Sequence, residues 1–140
     1  MPASVAPKAP AFLRPALSLL AGLGIFVAIV FLGTIATFVL MQVRDPLHPT
    51  IGLLVAQLVV NAVGALAAGL ATGRMTLGRS LYTVFVLALI PSMSSVIPVL
   101  KGSSTGEPQW FLLVRPVVIF LAVLLGGALE RRRAHAEPIT

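Results

Sequence analysis

Four long apolar runs dominate the chain, and its polar residues gather almost entirely between them. Residues 16–43 carry no charge at all. Three further runs cover about 50–73, 80–100 and 109–129. An α-helix needs about 20 consecutive apolar residues to cross a hydrocarbon core of about 30 Å. Each run meets that length, so the pattern predicts an all-α integral membrane four-helix bundle. Turn chemistry separates the runs. Asp45-Pro46 and Pro49 end the first, Gly73-Arg74 and Gly78-Arg79 bracket a short connection, and a Gly/Ser loop lies between Lys101 and Pro108. Arg14-Pro15 fits a helix start, because proline is tolerated in the first turn.

The expected organisation is a cytoplasmic tail over residues 1–11, a membrane domain over 12–130 and a second tail over 131–140. Within the domain the spans are expected at about 14–43, 50–73, 80–100 and 109–129. Residues 1–10 are rich in Pro and Ala without helical period, which reads as disorder. The first run is nearly twice the length of a signal-peptide apolar core, about 7–15 residues, and reads as a retained span. At about 1.5 Å per residue it would be about 42 Å long, so it must tilt or protrude into the headgroups.

Composition agrees with lipid as the solvent. The hydrophobic fraction is 58% and the charged fraction 10%, against about 25% charged in an ordinary soluble domain. The net charge of +6 does not point to nucleic acid, because the basic residues flank apolar runs. Lys8, Arg14, Arg74, Arg79 and Arg131–Arg133 fall on one side of the predicted membrane, and Arg44 and Lys101 on the other. That asymmetry predicts a multi-pass protein with both termini in the cytoplasm. It leaves Trp110 at the opposite interface. The chain has no cysteine, which excludes disulfides and thiolate chemistry.

Helices in lipid associate through small residues and polar side chains, since lipid is as apolar as leucine. On the second run, Gln57, Asn61, Gly64, Ala65, Ala68 and Thr72 share one face at about 100° per residue. Gly69 and Gly73 form a small-xxx-small pair with Ala65 beside this face, and Val59, Val63, Leu66 and Leu70 lie opposite, where they are expected to face lipid. On the fourth, Arg115, Ile119, Ala122 and Gly126 form one stripe, with Val117, Phe120, Leu121 and Leu124 opposite. The expected packing residues are therefore Gly64, Ala65, Ala68, Gly69, Gly73, Ala122 and Gly126. Pro91 should kink the third run by removing a donor and freeing the Leu87 carbonyl. Ser92, Ser94 and Ser95 follow it directly and could hold the kink.

An arginine inside a span is costly and marks a candidate site. Counting residues from the outer ends of the spans places Arg115, Gln57, Ser94 and Ser95 in the outer half of the bundle, with Asn61 near its middle. Thr34 and Thr37 fall in the same half. The candidate binding set is Arg115, Asn61, Gln57, Ser94 and Ser95, for an anion or a lipid headgroup. The alternative is that Arg115 reaches the interface while the amides and hydroxyls join helices. No acidic residue lies inside a span, and His48 and His135 are predicted on opposite sides of the membrane. No nucleophile–base pair is present, so the expectation is a chain that is not an enzyme and has no metal or cofactor.

Two stretches resemble known proteins. Val60-Asn61-Ala62-Val63-Gly64, followed by Gly69 and Gly73, resembles the second helix of the small four-helix fluoride channels. That resemblance implies a pore with Asn61 lining it. It covers about fifteen residues and departs elsewhere: the first run lacks their arginine, and the third reads Leu-Ile-Pro-Ser-Met-Ser-Ser without a phenylalanine pair. The whole chain looks more like a class of uncharacterised bacterial small four-helix membrane proteins. The shared features are Ala65 to Arg74, the Gly106-Glu-Pro-Gln-Trp110 approach to the last helix, and Gly126-Gly127 before the arginines. That class implies the architecture and a bacterial inner membrane, and no activity. The expected role is thus a structural or accessory protein whose partners are the lipid bilayer and either itself or another membrane protein. A minimal oligomeric transporter or channel is the second reading.

Overall fold

The computed structural model describes residues 12–42, 49–76, 81–101 and 106–136. They form four α-helices: α1 (Leu13–Leu40), α2 (Ile51–Met75), α3 (Leu81–Leu100) and α4 (Gln109–Ala136). All four are long and apolar enough to cross a membrane. The expected N-terminal tail, the turn holding Arg44, Asp45 and His48, and Arg79 lie outside the described residues.

Local chemistry explains the helix ends. The Thr50 hydroxyl accepts a hydrogen bond from the Leu53 amide at 3.3 Å and caps α2. α4 does not stop near Leu129 but continues through Arg131–Arg133 to Ala136. Glu, Arg and Ala are good helix formers, and the basic residues of the last turn complement the negative end of the helix dipole. Arg131–Arg133 therefore extend a helix where a tail was expected.

Glycine contacts fix the topology. An added Cβ at Gly33 would meet Val60 and one at Gly22 would meet Thr72, so α1 and α2 run antiparallel. Gly69 lies against the backbone of Val123, and Gly73 against Gly127 and Glu130, so α2 and α4 run parallel. Gly127 touches Val84, and Phe85 meets Phe120 edge to face at 5.7 Å, so α3 runs against α4. α1 therefore begins, and α4 ends, at the same end of the bundle. We call this the near end, and the opposite end, where α1 ends and α4 begins, the far end. α2 is the central helix, in extensive contact with α4 and α1, while the backbones of α1 and α4 stay apart among the described residues.

The main core lies toward the near end. Ala65, Ala68, Val84, Leu87, Ala88, Ile119 and Val123 are all buried there, with Leu19, Leu23, Phe26, Phe120, Ala122 and Leu124 around them. The α2–α4 contact is the closest in the molecule. A Cβ at Gly69 would collide with the Val123 carbonyl oxygen, and one at Gly126 with the Leu66 carbonyl oxygen. Backbones this close gain dispersion contacts that bulkier residues would forbid. The contact also corrects one sequence expectation. Val59 and Val63 are exposed on the lipid side, but Leu66 and Leu70 are half-buried, because Gly126 seats against their backbone. On α4, Val117 and Leu121 are exposed, whereas Phe120 and Leu124 pack against the core rather than facing lipid.

α1 is the least buried helix, with only Ser18, Gly22 and Thr37 enclosed. Ser18 and Thr72 form a polar contact between helices near that end. The Thr72 hydroxyl donates to the Ser18 carbonyl at 3.2 Å, and Ser18 donates to the Pro15 carbonyl at 2.8 Å. Buried polar groups are thus found at the near end too, not only in the half that the sequence singled out.

Candidate functional site

Burial on α2 and α4 follows two stripes of four-residue spacing. On α2 it reads Leu53, Gln57, Asn61, Ala65, Gly69 and Gly73, all buried except the half-buried Gln57. On α4 it reads Phe111, Arg115, Ile119, Val123 and Gly127, all buried except the half-buried Arg115. Residues four apart lie on one helix face, so each stripe is a continuous line. Side-chain size on both lines grows from the near end to the far end. Glycines touch at one end, and leucine, phenylalanine, amides and arginine fill the other.

The register of the clamp carries outward along these lines. Gly69 meets Val123, so eight residues back on each helix Asn61 and Arg115 occupy the same depth, about 12 Å beyond the clamp at 1.5 Å per residue. Leu53 and Phe111 lie on the far-end side of them, and Ala65 and Ile119 on the near-end side. All four are buried, so a polar layer sits between two apolar ones.

Within that layer the hydrogen bonding is incomplete. Asn61 is 3% exposed. Its Nδ2 donates to the Gln57 carbonyl at 2.7 Å, while its Oδ1 is buried with no partner. The Nδ2 bond fixes the amide's orientation, because flipping it would set two oxygens against each other. Arg115 Nε is likewise buried without a partner. The guanidinium carbon lies 6.0 Å from the centre of the Phe111 ring, a cation–π approach at the edge of the useful range. Phe111 in turn meets Trp110 edge to face at 5.9 Å. No carboxylate serves Arg115 among the described residues. Glu130 lies beside Gly73 at the near end, and Glu107 precedes α4.

The serines do not join this layer. Ser94 and Ser95 both donate to the Pro91 carbonyl at 2.8 Å, and Ser92 donates to the Ala88 carbonyl at 2.7 Å. Ser94 is exposed and Ser95 half-buried. Pro91 is buried within α3, which runs through it as one helix, and its neighbours' hydroxyls bond carbonyls of the same helix. Beyond Ser92 no residue of α3 is buried, so the bundle is less enclosed toward the far end. Thr37 donates to the Gly33 carbonyl at 2.7 Å within α1. Between α3 and α4, Ser92, Met93, Val96, Pro116, Val117, Phe120 and Leu121 line an open apolar groove of about 340 Å³. Val117 and Leu121 are its exposed rim on α4, so the groove opens on the outer surface of the bundle, away from the stripe that carries Arg115.

No protein-family model, curated protein or solved structure matches this chain. The geometry therefore has to carry the functional reading alone. Of the packing residues expected from sequence, Gly64, Ala65, Ala68, Gly69, Gly73 and Gly126 are buried, and Ala122 lies against the core. Sequence reasoning missed Gly22, Gly33 and Gly127, each with a neighbouring side chain where a Cβ would go. Gly127 follows Gly126 directly, and only the structure shows that the two serve different neighbours. Near-end His135 is exposed, its Nδ1 2.8 Å from the Arg131 carbonyl oxygen, and no cluster of metal-ligating side chains occurs among the described residues.

Proposed function

We propose that this chain is a non-enzymatic protein of a bacterial inner membrane that acts as a structural or accessory partner within the bilayer, with both termini in the cytoplasm. The observation that carries this reading is the α2–α4 clamp. Gly69 against Val123 and Gly126 against Leu66 leave no room even for a methyl group. A route through the bundle along these helices would have to separate backbones that now touch. Such a bundle suits a rigid scaffold better than a pore. The open side of α1 supplies a surface for self-association or for a larger partner: Gly24 has nothing within 4 Å of a built Cβ, and Ala28 is also exposed.

Cross-linking in mild detergent followed by mass spectrometry tests this reading. It expects cross-links from α1 to a second copy or to another membrane protein. A strictly monomeric protein that moves solute across liposomes would sink it.

A second reading is favoured by the unpaired Asn61 Oδ1 and Arg115 Nε. On this reading the far half of the bundle is a polar binding site, open toward the side opposite the termini. A liposome flux assay separates simple binding there from transport.

A further inference from the structure

The unpaired atoms of the polar layer differ in kind, and the difference limits what can bind between them. Arg115 Nε is a donor that lacks an acceptor. The guanidinium carries a positive charge, and none of the carboxylates described in the chain reaches it. Asn61 Oδ1 is an acceptor that lacks a donor, and the Nδ2 bond to the Gln57 carbonyl holds the amide in that orientation. A fully ionised anion would satisfy the arginine but offer the amide oxygen no donor. A cation would do the reverse. An oxyanion that also bears an O–H or N–H group satisfies both.

We propose that Asn61 and Arg115 form a one-sided site for an oxyanion that carries its own hydrogen-bond donor. The shared chemistry is that of dihydrogen phosphate and of a phosphatidylglycerol headgroup, each with an anionic oxygen beside a hydroxyl. The proposal rests on reading the polar layer as a binding site. Three observations support it. Both groups sit at one depth on the facing stripes of α2 and α4. An unsatisfied buried polar atom is destabilising, and the layer holds two of them, one a donor and one an acceptor. The approach is from the far end, where α3 buries nothing beyond Ser92, and a ligand must displace the buried Phe111 and Leu53 side chains to reach the layer, while the glycine clamp closes the near end.

The protein contains its own reporter. Trp110 is the single tryptophan, in contact with Phe111, which lies beneath the Arg115 guanidinium. A ligand that draws the guanidinium away should alter Trp110 emission. The test titrates phosphate and sulfate, at mildly acidic pH, into the full chain in phosphatidylcholine nanodiscs. Sulfate carries no proton there, and the choline headgroup has no donor. A parallel set uses nanodiscs containing phosphatidylglycerol. We expect a saturable emission change with phosphate at least about tenfold tighter than with sulfate. If the headgroup is the resident ligand, the change is already present with phosphatidylglycerol and phosphate adds little. If the free anion is, the two lipids give the same titration.

Asn61→Leu should retain binding but lose the preference for phosphate over sulfate. Arg115→Lys keeps the charge but not the Nε donor, and should weaken both by about tenfold. Circular dichroism confirms that each variant is folded. Arg115→Leu should give no response, and Arg115→Lys carries the test if that variant does not fold. Equal affinity for phosphate and sulfate in the unaltered protein would overturn the assignment of a donor-bearing ligand while leaving a polar site. Absence of any Arg115-dependent response to phosphate, sulfate or phosphatidylglycerol would overturn both.

Discussion

The two ends of the α2–α4 pair are built on opposite terms. At the near end, Gly69, Gly73, Gly126 and Gly127 bring backbones together, the core beside them is apolar, and the buried Thr72 and Ser18 hydroxyls are hydrogen-bonded. At the far end the same two stripes carry Gln57, Asn61 and Arg115, and two buried polar atoms find no partner. Close packing at glycine stabilises helix pairs in lipid, where no hydrophobic effect drives them together. Unpaired polar groups at a similar depth do the reverse. One end is therefore arranged for stability, and the other retains a cost that stability alone would not retain.

Filling the clamp should have the largest effect. Gly69→Leu or Gly126→Leu places a side chain where a carbonyl oxygen already lies, and overpacking typically costs about 1–3 kcal/mol. Because the obstacle is backbone, we expect the upper end of that range or outright loss of the fold, read as lost helicity on heating in micelles. A variant as stable as the parent would mean that the helices are not in contact there. Thr72→Val should have an intermediate effect. It removes the bond to the Ser18 carbonyl, and interhelical hydrogen bonds in membranes contribute about 0.6 kcal/mol on average. Equilibrium unfolding in mixed micelles would resolve a loss of that size, and a loss several times larger would point to a wider network around Ser18. The smallest effect belongs to Gly24→Leu. Gly24 sits on α1 with open space around it, so stability of the isolated chain should change by less than about 0.5 kcal/mol. A large drop would show that this face is already covered, as it would be in a self-associated form.

Much of the near end was legible in the sequence, because helical spacing of small residues is a one-dimensional signal. Gly64, Ala65, Ala68, Gly69 and Gly73 needed only a count of 100° per residue. The partner of each residue was not legible. That Gly22 and Gly33 would face α2 depends on the crossing of α1, which has apolar residues on every side and so no preferred face in its pattern. The far end was half legible. A charge inside a span marked Arg115, and the shared face marked Gln57 and Asn61. The serines misled because composition does not say where a hydroxyl points: after Pro91 the nearest free acceptors are carbonyls of the same helix, and Ser94 and Ser95 take one of them. The length of α4 was underestimated for a related reason. Hydropathy ends at Leu129, but helix propensity continues through Glu130 and the arginines.

Placing donors and acceptors needed coordinates, and it is where the comparison of the two ends is most exposed to test. The decisive measurement is the unfolding free energy of Asn61→Leu against the parent, in micelles free of phosphate and anionic lipid. Leucine is close to asparagine in volume and removes the unpaired oxygen. If the layer is unsatisfied within the chain, stability should change by less than about 1 kcal/mol, since removing the unpaired oxygen is favourable and offsets the lost Nδ2 bond to the Gln57 carbonyl. A fall of about 2 kcal/mol or more would mean that Asn61 belongs to a satisfied network, and the contrast between the two ends would fail.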